Sequence, residues 1–141
     1  MITVKIDHVG YLTGNIEKAI SEFILLGYHQ VSDIIVDDIE YEGRPSRNVK
    51  LCFLENDEVR IELVAPINEA SDVYATLKRQ GEGPYHVCYQ VEKLEEAIID
   101  MKKSGWVVIR EPQMAVAFNY KKVVFLYKRN VGTTELVEVG E

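Results

Sequence analysis

The chain has 141 residues, 47% hydrophobic and 28% charged, which fits one globular domain. Its formal net charge of -7 argues against nucleic acid or anionic membrane as a partner, because phosphate groups would be repelled. No apolar run approaches the roughly 20 residues of a membrane span, and Met1–Ile6 alternates like a strand and shows no secretory signal. We therefore expect a cytoplasmic protein in which Cys52 and Cys88, both in apolar runs, are reduced core thiols.

The first half of the chain predicts a strand, a helix and three further strands. Residues 3–12 alternate between two faces, with His8 and Gly10 on the face that we expect to point away from the helix. Asn15 is the expected N-cap of a helix that ends at Gly27. The remaining elements of this half are predicted strands at residues 28–36, 47–55 and 58–65 and a short helix at residues 69–80.

The second half repeats this order. Gly81–Pro84 is the only linker-like stretch, and it is too short to separate independent domains. The elements predicted after it are a strand at residues 85–91, a helix at 93–104 and strands at 106–110, 121–128 and 133–139. Each half is therefore expected to be a βαβββ module.

A βαβββ module buries only one face of its sheet against its own helix, so a second copy is needed to complete the fold. We expect an α+β fold in which two paired modules form a curved mixed sheet, shaped like a cup, with the helices on the outside. The whole chain, residues 1–141, is then a single domain. Its parts are module one at residues 1–66, a connecting helix at 67–82 and module two at 83–141.

The repeat places one histidine and one glutamate at equivalent positions in each half, namely His8, Glu62, His86 and Glu135. Taken singly, such a histidine is usually a hydrogen-bonded core residue, and such a glutamate usually faces solvent. Strand parity, however, points all four side chains into the cup, where an unpaired carboxylate is very costly. We therefore predict one divalent metal ion, either zinc, cobalt, nickel, manganese or ferrous iron, with open positions for a substrate.

Four segments together resemble the vicinal oxygen chelate superfamily, which includes glyoxalases, methylmalonyl-CoA epimerases, extradiol dioxygenases and bleomycin-resistance proteins. The segments are Ile6–Gly10 (IDHVG), Ile61–Pro66 (IELVAP), Gly83–Val87 (GPYHV), and Val124–Leu126 followed by Glu135-Leu136. The resemblance covers essentially the whole chain and is closest in spacing to the epimerase branch. It implies paired βαβββ modules and a metal held by His8, Glu62, His86 and Glu135.

The chain also departs from the epimerase pattern at several places. Ser46–Asn48 stands where the epimerases usually carry an acidic residue implicated in proton transfer, and Ala117–Lys122 replaces a glycine-rich loop. Tyr85-His86 replaces a His-His doublet, and Tyr127-Lys128 replaces His-Pro. We expect the Ser46–Asn48 and Ala117–Lys122 segments to lie away from the four ligands, around the substrate space.

Such a metal site supports proton transfer next to a carbonyl, with two neighbouring substrate oxygens on the metal and the developing enolate stabilised by it. Glu62 and Glu135 are the candidate catalytic bases. Candidate substrate-binding residues are Lys50, Arg60 and Gln90. Lys50 could equally be a solvated edge residue, and Arg60 could equally be a salt-bridge partner.

Three functions remain open from the sequence. The first is a metal-dependent isomerase or epimerase acting on an acyl-CoA thioester or similar carbonyl compound. The second is a glyoxalase I-like lactoylglutathione lyase acting on a hemithioacetal, and the third is a resistance protein that sequesters a small molecule. In each case we expect a homodimer that binds neither nucleic acid nor membrane.

Overall fold

The computed structural model describes residues 4–40 and 42–140, and these form three α-helices and nine β-strands. The helices are α1 (Ile16–Leu25), α2 (Tyr74–Gln80) and α3 (Leu94–Lys103). The strands are β1 (Lys5–Leu12), β2 (His29–Gln30), β3 (Ile35–Asp37), β4 (Val49–Asn56), β5 (Val59–Pro66), β6 (Gly83–Val91), β7 (Val107–Ala115), β8 (Lys121–Lys128) and β9 (Gly132–Glu138). Strands pair both parallel and antiparallel, so the expected mixed-sheet α+β class is confirmed.

The chain divides into two compact units. One unit runs from Val9 to Tyr85. The other is made of two parts of the chain, the residues up to His8 and the residues from His86 onward. Strand β1 contributes its first half to the second of these units and its remaining residues to the first. Among the described residues, none of the helices is both long and apolar enough to cross a membrane.

In the Val9–Tyr85 unit the strand order is β2-β4-β5-β1, and β3 also pairs with β4. Helix α1 begins where predicted, because the Asn15 side chain accepts a 3.0 Å hydrogen bond from the backbone N–H of Lys18. It packs Ile16 and Ile20 on one face of the sheet. The chain then turns at Gly27, whose φ of 96° lies in the region that favours glycine.

Two predictions in this unit need correction. Residues 28–36 form two short strands, because the Ser32 hydroxyl accepts from the backbone N–H of Phe53 at 3.0 Å and so replaces a strand partner. Helix α2 begins at Tyr74, later than the predicted residue 69. The side chains of Asn68 and Ser71 accept bonds from nearby backbone N–H groups, which favours turns before the helix.

The unit that contains His8 and His86 has the strand order β1-β6-β9-β8-β7. Gly83 and Pro84, predicted to lie in a linker, instead begin β6. Strand β7 extends to Ala115, beyond the predicted end at residue 110. Helix α3 packs its apolar side on Val124, Leu126 and Leu136, so this face of the sheet is the helix-covered one.

The opposite face of this unit carries the residues of interest, since side chains alternate along each strand. His86 and Cys88 on β6 share that face with Glu135 and Val137 on β9. Cys88 in this unit and Cys52 in the other unit are both buried thiols, as expected of core residues. Burial raises the pKa of the Cys52 thiol, an effect that outweighs its hydrogen bonding to Ser32.

Candidate metal centre

Three of the four predicted ligands converge within the unit that holds both histidines. Nε2 of His8 lies 3.2 Å from Nε2 of His86. Oε1 of Glu135 lies 3.0 Å from Nε2 of His86 and 3.5 Å from Nε2 of His8. All three side chains are buried, with 0%, 4% and 3% of the surface of His8, His86 and Glu135 exposed. The three donor atoms therefore form a nearly regular triangle inside the protein.

Strand pairing explains why residues so far apart in the chain meet. Strand β6 has β1 on one side and β9 on the other. In the parallel β6–β9 pair, Cys88 is opposite Glu135, which puts the carboxylate next to the strand that carries His86. Because His8 lies on β1, the three ligands occupy three neighbouring strands and project from one face.

The size of the triangle fits a bound divalent cation. Ligand atoms about 2.1 Å from a metal ion lie roughly 3.0 Å apart in octahedral geometry and roughly 3.4 Å apart in tetrahedral geometry. The three separations, 3.0, 3.2 and 3.5 Å, cover this range. Two imidazole nitrogens and a carboxylate oxygen are also the donor set that zinc, cobalt, nickel and ferrous iron accept. The residues present thus fit the metal that the sequence predicts.

The electrostatics of Glu135 agree with a ligand role. Burial alone would raise the pKa of this carboxyl group, but the contacts with His8 and His86 outweigh burial and hold the pKa well below its usual range. Without a metal ion, the imidazoles that donate to Glu135 keep it ionised, and the ionised carboxylate is also the form that binds a cation.

Asp7 supports His8 from the side away from the triangle. Nδ1 of His8 donates to Oδ2 of Asp7 at 2.8 Å, and Nε2 of Gln90 donates to Oδ1 of Asp7 at 2.7 Å. Gln90, a candidate substrate-binding residue, thus contacts Asp7. Sequence pattern alone assigns no role to Asp7, and its position directly before His8 is the available signal.

Two aromatic rings cover the histidines. The Phe118 ring stacks on His8 with centroids 5.6 Å apart and an interplanar angle of 26°, and Phe125 meets His86 edge to face at 5.3 Å. The expectation that the Ala117–Lys122 segment lies away from the ligands is therefore wrong. A short 3₁₀ helix at Val116–Phe118 brings Phe118 to His8, and the chain then reverses at two positive-φ residues, Asn119 and Tyr120.

Glu62 lies on β5 in the Val9–Tyr85 unit, where it is 3% exposed and stands opposite Gly10 on β1 and Phe53 on β4. It occupies the face of the sheet away from α1, as its parity predicts. Its membership of the ligand set stays a prediction that rests on the repeat and the family resemblance.

The two basic candidates for substrate binding have other partners. Arg60 is a salt-bridge partner, because its Nε lies 3.1 Å from Oε2 of Glu55, and its guanidinium also covers the Phe53 ring at 5.0 Å. For Lys50, the structure favours the second of the two alternatives, a solvated residue. Lys50 lies on the α1 side of the sheet, where its Nζ is 3.7 Å from Oε1 of Glu17. Side chains alternate along β4, so Lys50 shares this side with Cys52 and Leu54, which pack in the same core as α1.

Hydrogen bonds to residues of β3 and of the turn before α2 hold the Ser46–Asn48 segment. Nε of Arg47 donates to Oδ2 of Asp72 at 2.9 Å, and the Ser46 hydroxyl donates to the backbone carbonyl of Asp37 at 3.0 Å. The Asp37 carboxylate, in turn, forms a buried ion pair with Arg44. These contacts give the segment a structural role, and none of its three residues is an acid.

Known proteins share this fold and a family model with the chain. Residues 7–125 match the family model of the Glyoxalase/Bleomycin resistance protein/Dioxygenase superfamily. The chain is 25% identical to human mitochondrial methylmalonyl-CoA epimerase over 97% of its own length and 73% of that protein.

Solved structures share the fold. The hypothetical protein BH1468 of Bacillus halodurans has a TM-score of 0.81 and 29% identity over 99% of this chain and 96% of that one. Methylmalonyl-CoA epimerase of Streptomyces coelicolor, solved with 2-nitronate-propionyl-CoA, has a TM-score of 0.77 and 21% identity over 98% of both chains. The chain belongs to the glyoxalase/bleomycin resistance protein/dioxygenase superfamily.

Proposed function

We propose that this protein is a metal-dependent isomerase of the epimerase type, which moves a proton next to the carbonyl of an acyl-CoA thioester. The observation that carries the proposal is the buried triangle of His8, His86 and Glu135. The substrate class is supported by the human relative, named as a methylmalonyl-CoA epimerase, at 25% identity over nearly the whole chain.

In this proposal His8, His86 and Glu135 hold one divalent cation, and Glu62 is the fourth ligand. When bound, the cation supplies Lewis-acid stabilisation of the negative charge that develops on the substrate oxygens during proton removal. The protein's own part is to present bare imidazole nitrogens and an ionised carboxylate in a fixed, buried arrangement. The rings of Phe118 and Phe125 keep water from the two imidazoles, which strengthens electrostatic interactions there.

The proton requires a base, and Glu135 is poorly suited to that role. A general base works best when its pKa is near the operating pH. The pKa of Glu135 lies well below its usual range because of its two histidine contacts, so we favour Glu135 as a ligand. We assign the base role to Glu62, which would leave the metal to accept the proton, because Ser46–Asn48 contains no acid to supply one.

Hydrogen exchange tests this function directly. Methylmalonyl-CoA is incubated in deuterated water with metal-stripped protein, with and without added cobalt or zinc, and deuterium at the α-carbon is measured by mass spectrometry. We expect exchange only with metal, its loss in His86→Ala, and its retention in the matched control Glu111→Gln, which alters an exposed acid on β7.

Two outcomes would overturn the assignment. Metal-loaded protein that exchanges no α-hydrogen in methylmalonyl-CoA or other acyl-CoA thioesters is not an isomerase of this class. If the protein instead consumes the methylglyoxal–glutathione hemithioacetal in a metal-dependent reaction, it is a glyoxalase I-like lyase.

A further inference from the structure

We propose that Asp7 and Gln90 form a positioning pair that fixes the tautomer of His8 and thereby sets the affinity of the metal site. The inference rests on the proposed metal binding by His8. The pair acts on His8 from the side away from the donor triangle. Asp7 bonds to Nδ1 of His8, whereas Nε2 of the same ring belongs to the triangle.

The tautomer matters because a neutral imidazole carries one hydrogen on one of its two nitrogens. A metal ligand must have Nε2 bare, so the hydrogen must be on Nδ1. At 2.8 Å from Nδ1, the Asp7 carboxylate can only accept, and it therefore keeps the hydrogen on that nitrogen. Such carboxylate–histidine pairs also make the imidazole a stronger ligand.

Gln90 fixes Asp7 in turn. The two oxygens of Asp7 have separate donors, Nδ1 of His8 on Oδ2 and Nε2 of Gln90 on Oδ1. The Asp7 side chain is only 7% exposed, so water has little access to compete for these bonds. An ionised carboxylate can accept both bonds at once, and this double acceptance holds its plane in place.

The two copies of the repeat differ at the residue that precedes the histidine. His8 follows Asp7, whereas its counterpart His86 follows Tyr85. The carboxylate before the histidine is therefore present in the first copy only.

Asp7 and His8 also belong to a second set of potential metal ligands. Ligand atoms of Asp7, His8 and Cys88 also lie within 4.8 Å of one another, so these residues could form a thiolate-containing metal site. The hydrogen bonds that Asp7 makes with both oxygens favour the positioning role. A cobalt ion bound to Cys88 would show strong thiolate-to-metal charge-transfer absorption, which the proposed site lacks.

The test uses substitutions that keep size and change only the hydrogen-bond pattern. Asp7→Asn leaves one carbonyl oxygen to face two donors, so one of those bonds is lost. Adding Gln90→Glu restores the pattern, because the asparagine amide then donates to the new carboxylate while its oxygen still accepts from His8. Asp38→Asn, at an exposed aspartate outside the site, is the matched control.

Cobalt affinity of metal-stripped protein is measured by calorimetry, and the visible spectrum of the cobalt form reports the ligand geometry. We expect Asp7→Asn to weaken cobalt binding about 10- to 100-fold and to shift the spectrum. The double variant should return affinity to within a few-fold of the native value. Thermal unfolding of the metal-free variants checks that the fold is retained.

Native affinity in Asp7→Asn would overturn the proposal while leaving the metal site intact. A double variant no better than Asp7→Asn, or charge-transfer absorption from Cys88, would also overturn it. If the native protein binds no cobalt, the proposed function and the positioning role fail together. These outcomes distinguish the failure of one from the failure of both.

Discussion

Nε2 of His8 lies 3.2 Å from Nε2 of His86, although the two residues are 78 positions apart in the chain. Two imidazole nitrogens that face each other can share at most one proton, so this approach alone is an ordinary hydrogen bond at best. Oε1 of Glu135 lies within 3.5 Å of both nitrogens. Three acceptor-capable atoms directed at one another form an arrangement that a cation stabilises better than a proton does.

Phe118→Ala tests the aromatic cover of the site. The Phe118 ring is half-buried and stacks on His8, so its removal should lower the free energy of unfolding by about 1–2 kcal/mol. Cobalt affinity should fall several-fold, because water then reaches the imidazole. Phe118→Leu, which keeps most of the apolar surface, should lose less of both. Equal behaviour of the alanine and native proteins in denaturation and titration would show that the contact is incidental.

Glu62→Gln tests the ligand predicted from the repeat. The amide keeps the size of the side chain but binds a divalent cation poorly, so we expect a loss of roughly 10-fold or more in cobalt affinity. Glu111→Gln should leave the affinity unchanged. If Glu62→Gln binds cobalt as tightly as the native protein, Glu62 is not a ligand and the proposed site has three protein ligands.

Asp37→Asn tests the loop that carries Ser46–Asn48. Asp37 and Arg44 form a buried pair, and loss of one partner leaves an uncompensated charge, which costs about 3–5 kcal/mol of unfolding free energy. Asp72→Asn, which breaks the more exposed pair with Arg47, should cost about 1 kcal/mol. Urea denaturation measures both values. Equal costs would mean that burial of the Asp37–Arg44 pair has no energetic weight.

Asn15→Ala tests the predicted start of α1. The asparagine accepts a hydrogen bond from the backbone of Lys18, and its loss should destabilise the protein by about 1 kcal/mol. The equivalent residue in the second copy, Lys93, makes no side-chain capping bond, since Glu138 accepts from the backbone N–H of Leu94 in that copy. Lys93→Ala should therefore change the stability by less than about 0.5 kcal/mol. Equal effects in thermal unfolding would contradict this difference.

The sequence predicted most of the fold because the strong patterns are local. Strand β8 has the predicted bounds, and Asn15 and Gly27 mark the first helix as expected. The prediction failed where side chains replace backbone partners, as Ser32 does between β2 and β3. Strand β7 was predicted too short because two irregularities in its pairing with β8 and the edge residue Pro112 break the alternation.

The convergence of His8, His86 and Glu135 was predictable from the sequence, but the residues around them were not. Duplication indicated His8, His86 and Glu135 because symmetric polar residues on buried strands are rare. Asp7 and Phe118 were missed because their roles depend on side-chain geometry and on a turn with positive φ. Lys50 was left open between substrate binding and a solvated position, because one residue of register decides which face of a strand a side chain occupies. The homodimer and the cytoplasmic location stay predictions.

The central claim is that His8, His86 and Glu135 bind a divalent cation, and titration of metal-stripped protein with cobalt tests it most directly. We expect calorimetry to show one ion bound per chain in the native protein and in Glu111→Gln, and a loss of at least roughly 100-fold in affinity in His86→Ala. Absence of saturable binding in the native protein, or binding that His86→Ala leaves unchanged, would contradict the claim.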